Sequence, residues 1–272
     1  MKQKDITIAK QSKEFRLLTE SSSKLAVRGM LHINNSNSIL ADEFYKNGNS
    51  YYFGNLVNIN YSSAFTWYER AAELGHMVAQ FQLGYMYNLG QGVKQDIDEG
   101  ARWYRLAAEQ GDSDAQFNLG LIYDKGQGVE QDHKEAVRWY RLAAEQGDAE
   151  AQLNLGVMYD EGQGVEQDDE KAVIWYRLAA EQGQSVAQNN LGWMYEYGRG
   201  VNKDYSLAAS WYRISAEQGQ IIGQYNLGRM HEFGQGVEHS EEEALAWYRK
   251  AADKGYGRAK QAIEKLWVKK ST

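Results

Sequence analysis

The sequence repeats itself with a period of 36 residues over most of its 272-residue length. A tryptophan followed by a tyrosine marks each period, at Trp67-Tyr68, Trp103-Tyr104, Trp139-Tyr140, Trp175-Tyr176, Trp211-Tyr212 and Trp247-Tyr248. A glycine keeps the same period, at Gly75, Gly111, Gly147, Gly183, Gly219 and Gly255. Fixed self-similarity of this kind predicts a stack of identical supersecondary units. Because such stacks usually work through a long surface, we expect a binding face rather than a catalytic pocket.

One period, residues 112–147, predicts two helices joined by a glycine turn. Apolar residues of its first half recur at the spacing of a helical stripe, at Ala115, Leu119, Ile122 and Tyr123. A second stripe follows, at Ala136, Trp139, Tyr140, Ala143 and Ala144. Between the two stripes lies the turn Gly126-Gln-Gly128-Val129, which leaves the first helix through conformations that glycine adopts cheaply. Each period is therefore predicted to be a helix–turn–helix pair, and no β pattern occurs anywhere.

Local signals define the ends of these helices and how closely they approach. Gly120 lies in the middle of the first helix, where glycine costs about 1 kcal/mol relative to alanine, and we expect it to admit a neighbouring helix. It recurs at Gly84, Gly156, Gly192 and Gly228. Asp132 is predicted to cap the second helix, with Glu135 in the capping-box position. If Trp139 is buried in the stack, Trp139→Ala should cost about 3–5 kcal/mol.

The pattern Ala-Gln-x-Asn-Leu-Gly-x-x-Tyr, Gly-x-Gly-Val, Ala-x-x-Trp-Tyr-x-x-Ala-Ala-Glu-Gln-Gly resembles the Sel1-like repeat, a relative of the tetratricopeptide repeat. The resemblance implies an all-α fold, a right-handed α-solenoid of about six helix-turn-helix repeats with a C-terminal capping helix. The loop proline and the cysteine pairs of some family members are missing. We divide the array, residues 43–255, into 43–75, 76–111, 112–147, 148–183, 184–219 and 220–255. Residues 1–42 are expected to be an arm or capping helix with partial disorder, and 256–272 a cap helix and tail.

The resemblance also implies where a partner binds, because the first helix of each pair lines the concave face of such stacks. An amide recurs there, at Gln82, Asn118, Asn154, Asn190 and Asn226. A ladder of amides can both donate to and accept from an extended backbone, and in related peptide-binding repeats a similarly placed asparagine clamps the ligand. The alternative is that these amides bond only to neighbouring helices or to water.

In the repeats 184–219 and 220–255, the first helix differs from that of the earlier repeats in the residues that face the groove. Aromatic residues and arginine, which dominate binding hot spots, replace smaller or acidic ones. The predicted partner-binding residues are Gln82, Tyr85, Asn118, Asn154, Asn189, Asn190, Trp193, Tyr197, Tyr225, Asn226, Arg229 and Phe233. The alternative is ordinary drift between repeats. The middle of the groove is acidic and favours a basic partner segment, through Asp124, Glu150, Asp160 and Glu161.

Composition excludes several other classes of partner. The net charge of −7 opposes nucleic acid and anionic lipid as main partners, and no run of 18 apolar residues could span a membrane. The N-terminus has no apolar signal region, so a cytoplasmic location is expected, with a periplasmic or secreted one left open. The protein is expected to be a monomer or a weak oligomer.

Signals for chemistry are poor, so we predict no enzyme, no cofactor and no metal. The five histidines share no metal-ligand spacing, and His231 is expected to be packed or hydrogen-bonded because it replaces a recurring tyrosine. Charged pairs such as Arg141–Glu145 and Arg177–Glu181 are interpreted as solvated helix faces. Ser21-Ser22-Ser23-Lys24 fits the S-x-x-K string of penicillin-recognising enzymes, but neither S-D-N nor K-T-G accompanies it.

The sequence therefore predicts a protein–protein interaction scaffold or adaptor that binds a protein or peptide segment in its groove. Two alternatives stay open. The first, which the family resemblance suggests, is an immunity protein that neutralises a cognate bacterial toxin. The second, of another class, is an enzyme that binds or hydrolyses β-lactams.

Overall fold

A computed structural model describes residues 36–55 and 57–271, with side chains up to residue 268. These residues form two units, one ending at Ala107 and the other beginning at Ala108. Most of the predicted N-terminal arm, residues 1–35, lies outside the described residues, and so does the string Ser21–Lys24.

Within the described ranges every regular element is a helix, as the periodicity predicts. The first helix, α1, covers residues 36–53. It is followed by α2 (Tyr61–Glu73), α3 (Met77–Leu89), α4 (Ile97–Glu109), α5 (Ser113–Lys125), α6 (His133–Glu145), α7 (Ala149–Glu161), α8 (Asp169–Glu181), α9 (Ser185–Tyr197), α10 (Tyr205–Glu217), α11 (Ile221–Phe233), α12 (Glu241–Asp253) and α13 (Gly257–Ser271). From α3 onward, odd-numbered helices are the first and even-numbered helices the second members of the predicted pairs.

The predicted N-cap of the second helix is confirmed, but the capping box is not. The Asp132 carboxylate accepts from the backbone N–H groups of Lys134 and Glu135, at 2.9 and 3.1 Å. The backbone N–H of Asp132 donates to the carbonyl of Tyr123 at 3.0 Å. Because that donor is already used to close the turn, Glu135 pairs with Arg138 instead.

The glycine within each first helix receives a tyrosine ring from the second helix. A Cβ atom on Gly120 would lie 2.6 Å from Cδ1 of Tyr140, and one on Gly156 would lie 2.6 Å from Cδ1 of Tyr176. The same contact recurs as Gly192–Tyr212 and Gly228–Tyr248 in the second unit, and as Gly48–Tyr68 and Gly84–Tyr104 in the first. The close approach expected at the helical glycines is therefore confirmed, and the degenerate first repeat shares it.

Tyrosine rather than tryptophan is the constant core residue of the repeat. All six tyrosines of the Trp-Tyr pairs are buried, with exposed fractions of 0–1%. Among the tryptophans, Trp139 and Trp247 are buried, whereas Trp175 and Trp211 are only half-buried. In every repeat a tyrosine ring therefore packs against the helical glycine, whereas the burial of the tryptophan varies from one repeat to the next.

Buried glutamines also join the helices of the second unit. Gln116, Gln152, Gln188 and Gln224 each donate to a backbone carbonyl eight residues earlier, on the preceding helix, at 3.0–3.2 Å. The Gln146 side chain links two repeats, because its amide donates both to the carbonyl of Gly111 at 3.1 Å and to the Gln116 oxygen at 2.8 Å. These bonds satisfy polar groups that the close packing removes from water.

In the turns at Gly164 and Gly200, the second glycine packs against the second helix of the previous repeat. Gly164 and Gly200 have positive φ angles of 69° and 64°, which favour glycine. A Cβ atom on Gly164 would lie 2.2 Å from the carbonyl oxygen of His133, and one on Gly200 would lie 2.3 Å from that of Asp169. Glycine is therefore required here both by conformation and by space.

The helix α13 packs against α12 as a first helix without a second. Ala259 and Leu266 are buried in one cluster with Tyr248, while Glu264 is exposed at the place of the helical glycine. No described helix combines the length and the apolar composition that crossing a bilayer requires.

Candidate functional site

A cavity of about 480 Å³ in the second unit gathers the predicted residues of the last two first helices. It lies along α9, α11 and the start of α13, with α7 at its other side. We call it the C-terminal groove. Seven of the predicted partner-binding residues line it, namely Asn189, Asn190, Trp193, Tyr197, Tyr225, Asn226 and Arg229.

Aromatic rings form one wall of the C-terminal groove. The rings of Trp193 and Tyr197 lie 5.0 Å apart between centroids, and Tyr225 contacts Tyr256 edge-on at 5.2 Å. Tyr197 is 51% exposed. The guanidinium of Arg199 lies over the Trp193 ring at 5.0 Å. These rings present large amphipathic surfaces on helices that hold them in place.

The floor of the groove is a continuous chain of polar contacts. The Tyr212 hydroxyl donates to Oε2 of Glu196 at 2.7 Å, and the other carboxylate oxygen of Glu196 accepts from Nη2 of Arg229 at 2.5 Å. Asn226 donates to Oδ1 of Asn189 at 2.9 Å. Since the Glu196 side chain is only 4% exposed, Arg229 and Glu196 act as one neutral unit that fixes the floor.

Burial and charge fix the protonation states of Tyr212 and Arg229. Burial raises the pKa of the Tyr212 hydroxyl above its ordinary range, and the charge of Glu196 raises it further. Burial alone would lower the pKa of Arg229, but the Glu196 carboxylate outweighs it and the net shift is upward. At ordinary pH Tyr212 is therefore a neutral donor and Arg229 a cation.

The recurring asparagines have different surroundings in different repeats. Asn118 donates to the carbonyl of Asp114 in its own helix at 2.7 Å. Asn154 is half-buried, Asn190 accepts from the amide of Asn189 at 3.4 Å, and Asn226 is only 7% exposed. The alternative interpretation, in which neighbouring helices satisfy these amides, describes Asn226 well. A continuous peptide clamp stays a prediction.

The other predicted residues lie away from the C-terminal groove. Phe233 is 61% exposed and lines an adjoining cavity of about 410 Å³ with Arg258 and Lys265. Asn118 and Asn154 lie on α5 and α7. Gln82 and Tyr85 belong to α3 in the first unit, where Tyr85 is 37% exposed.

Sequence reasoning missed three residues of the site. Glu196 was overlooked because it matches the acidic residues of earlier repeats, although Tyr212 and Arg229 bury it. Tyr256 and Arg258 line the groove from the start of α13. The repeat register could have found Arg258, since it lies 36 residues after Ile222, which faces the same groove.

Intramolecular contacts engage part of the acidic middle of the first-helix face. Oδ1 of Asp160 lies 2.9 Å from Nη1 of Arg199, and Asp124 lies 3.1 Å from a ring nitrogen of His133. Glu161 remains exposed, with one hydrogen bond from Gln163 at 2.7 Å.

Two predictions concern residues outside the groove, namely His231 and the arginines of the second helices. His231 is buried, and its Nδ1 lies 3.3 Å from the Glu238 carbonyl, as expected. Arg141 donates to the hydroxyl of Tyr159 at 2.7 Å, and Arg177 repeats this contact one period later. Arg177, Glu145 and Glu181 are exposed, as a solvated helix face requires, and the arginines in addition bind across repeats. In the part of the chain that the structure describes, no three acidic or histidine side chains form a metal-binding group.

The fold is that of a helical repeat protein, and the repeat itself defines the family. The Sel1 repeat model matches residues 45–76, 78–112, 113–148, 149–184, 185–220 and 221–256. The chain therefore belongs to the Sel1 repeat family, an all-α solenoid class. Proteins of this family generally act as scaffolds for protein–protein interaction, and their fold is typically non-enzymatic.

Solved structures of Sel1 repeat proteins resemble the chain closely. The protective antigen c5321 of uropathogenic Escherichia coli is 39% identical with a TM-score of 0.78, and the match covers 82% of this chain and 48% of that one. The chain thus spans about half the length of that protein. A Sel1 repeat protein from Oxalobacter formigenes is 35% identical with a TM-score of 0.70, over 84% and 86% of the two chains.

The immunity protein Pa5087 of Pseudomonas aeruginosa is more distant. It is 21% identical with a TM-score of 0.42, over 78% of this chain and 81% of that one, a likeness that carries no argument about function. No curated protein sequence matches the chain significantly.

Proposed function

We propose that the protein is an interaction adaptor that binds a segment of another protein in the C-terminal groove. The observation that carries this proposal is the wall formed by Trp193, Tyr197 and Tyr225 beside the cavity. One repeat earlier, the places of Trp193 and Tyr197 hold Val157 and Glu161. The aromatic wall therefore distinguishes this repeat from the preceding one: the Trp193 ring packs partly on the core, whereas Tyr197 is 51% exposed.

Rigidity of the floor supports the same conclusion. Each polar group of the chain Tyr212–Glu196–Arg229 is already engaged within the protein, so a partner meets a surface whose side chains are ordered before binding. Preorganisation of this kind lowers the entropic cost of association. A large aromatic surface around an ordered polar centre is typical of binding hot spots.

The test is a comparison of partner capture by the native protein and by Trp193→Ala/Tyr197→Ala. We expect capture to fall at least tenfold, because truncation of hot-spot aromatics often costs 2 kcal/mol or more. The matched control is Ile174→Ala/Leu178→Ala, which removes two side chains of α8 that are 56% and 40% exposed outside the groove. Arg229 stays unchanged, since its loss would leave Glu196 buried without its cation.

Equal loss in the control, or undiminished capture by the Trp193→Ala/Tyr197→Ala protein, would overturn the proposal. Thermal melting of each variant first establishes that it is folded. Mass spectrometry of the captured protein then distinguishes an adaptor from an immunity protein, because a toxin would identify the latter.

The proposal assigns no catalytic role to the chain. It is supported by the groove itself, where the only buried carboxylate among its floor residues, Glu196, is held by both Tyr212 and Arg229. Turnover of nitrocefin by the purified protein above the buffer rate would contradict it and favour the β-lactam alternative.

A further inference from the structure

Charge is distributed unevenly along the first helices of the second unit. On α5 and α7, the side chains at the groove-facing positions include one cation, Lys125, and five acids, Asp114, Asp124, Glu150, Asp160 and Glu161. On α13, the same repeat positions hold Arg258 and Lys265. The two ends of this face therefore have opposite charge.

The acidic end keeps exposed carboxylates although two of its acids are paired. Arg199 holds Asp160, and His133 holds Asp124. Glu161 is exposed and lines the C-terminal groove directly, and Glu150 is exposed one turn or more away on the same helix.

The basic end consists of two exposed side chains on the cap helix. Arg258 lines the C-terminal groove and the adjoining cavity, and Lys265 lines the adjoining cavity. The third cation of this region, Arg229, is neutralised by Glu196. Glu232 also lines the adjoining cavity, where it accepts from the Tyr248 hydroxyl at 2.5 Å. The two cations of α13 outnumber this one carboxylate, so the end keeps a net positive charge.

Between the two ends the surface is aromatic and nearly neutral. Trp193, Tyr197 and Tyr225 occupy it, together with Ile222, which is 43% exposed. An apolar side chain is the group that gains most from contact with such a wall.

We infer that the occupant of the groove is an extended protein segment with basic residues at one end, apolar ones in the middle and acidic ones at the other. The basic end lies toward α7 and the acidic end toward α13. Neighbouring helices pack about 8–10 Å apart, so three steps from α7 to α13 span about 24–30 Å. At roughly 3.3 Å per residue, the segment has about eight residues in contact.

This inference rests on the proposed function and narrows it. A uniformly basic segment, which the acidic middle alone would favour, places its far end against Arg258 and Lys265, where like charges repel. The order of charges along the segment, rather than its net charge, is the property that the groove selects.

The experiment measures fluorescence anisotropy of labelled nine-residue peptides with the full chain. The first probe has two lysines, a leucine–tyrosine–leucine centre and two aspartates, separated by serines, and it is made in both chain directions. The second has the same composition with lysine and aspartate alternating, and the third has lysines at both ends. We expect one direction of the first probe to bind about tenfold more tightly than the second or third, and the preference to shrink in high salt.

A charge exchange in the protein checks the assignment of the ends. Arg258→Glu/Lys265→Glu should reverse the preference, so that the probe with lysines at both ends becomes the tighter ligand. Arg213→Glu/Arg249→Glu is the control, because it makes the same change of charge at two exposed residues of the second helices α10 and α12. It should leave the order of the probes unchanged.

Each failure has a distinct meaning. Binding that needs Trp193 and Tyr197 but is equal for all charge orders overturns this inference and leaves the proposed function standing. Binding that is indifferent to Trp193→Ala/Tyr197→Ala, or absent for every probe up to millimolar concentration, overturns both the groove as a peptide site and the inference.

Discussion

The hairpins α5–α8 and α9–α12 of the second unit are built on the same core and carry different surfaces. In both, a tyrosine ring covers a helical glycine, as at Gly156–Tyr176 and Gly192–Tyr212, and a buried glutamine bonds the preceding helix. The first-helix surface of α5 and α7 is acidic, with Phe117 and aliphatic residues between the charges. That of α9 and α11 is aromatic with a buried ion pair. Packing positions therefore tolerate little change while groove positions are free to acquire a function.

The largest expected effect tests whether the two cores are equivalent. Tyr140→Ala and Tyr212→Ala should each destabilise the fold by about 3–5 kcal/mol, because each removes a fully buried ring and leaves a cavity beside glycine. Denaturant melting measures both. A difference of more than about 1.5 kcal/mol would show that the cores are not interchangeable.

Tryptophan positions should separate the hairpin α5–α6 from the hairpin α9–α10, because the two indoles differ in burial. Trp139 is 2% exposed, so Trp139→Ala should cost about 3–5 kcal/mol. Trp211 is half-buried, and Trp211→Ala should cost roughly half as much. Equal losses in denaturant melting would show that the uneven burial of the indoles has no energetic weight.

The buried ion pair should distinguish the C-terminal hairpins most clearly. Arg229→Ala leaves the Glu196 carboxylate, 4% exposed, without its cation, and should cost about 2–3 kcal/mol. Arg199→Ala is the matched change, since its partners Asp160 and Asp169 are 19% and 31% exposed and water can replace the lost contacts. It should cost about 1 kcal/mol or less, and the reverse order in thermal melting would contradict the assignment of the floor.

The smallest expected effect concerns the recurring amide. Asn226→Ala should cost about 1–2 kcal/mol because Asn189 loses a buried donor. Asn118→Ala should stay within about 0.5 kcal/mol, since its amide bonds to a carbonyl of its own helix. If both variants keep full stability but lose peptide binding, the amides act as a clamp along the whole face.

Much of this fold is encoded locally enough to be predicted from the sequence. The 3.6-residue stripes, the helix-ending glycines and the aspartate caps act within a few residues, and Gly120 signals close packing by its cost alone. The residue that packs against Gly120 could not be predicted in this way, because Trp139 and Tyr140 both recur with a period of 36 residues. Adjacent residues on a helix point about 100° apart, and only the assembled hairpin shows that the tyrosine faces the glycine.

The site could be predicted only in part for the same reason. The aromatic drift toward the C-terminus picked out Trp193, Tyr197 and Tyr225, which do line one cavity. The pairing of Arg229 with Glu196 and that of Arg141 with Tyr159 join different repeats. Helix spacing within one repeat favours short-range pairs such as Arg141–Glu145, so contacts between repeats stay hidden until the stack is formed.

The contact between the turn glycine and the second helix of the previous repeat bears on how a repeat protein gains length in evolution. Each 36-residue repeat carries one half of this contact in its turn, as at Gly164, and the complementary half at the start of its second helix, as at His133. A tandem duplication of any 36-residue window supplies both halves together, wherever the copied window begins. Gain or loss of whole repeats therefore preserves every such contact, whereas an insertion of a few residues into the turn breaks one. Evolution can thus change the length of the array in steps of one hairpin.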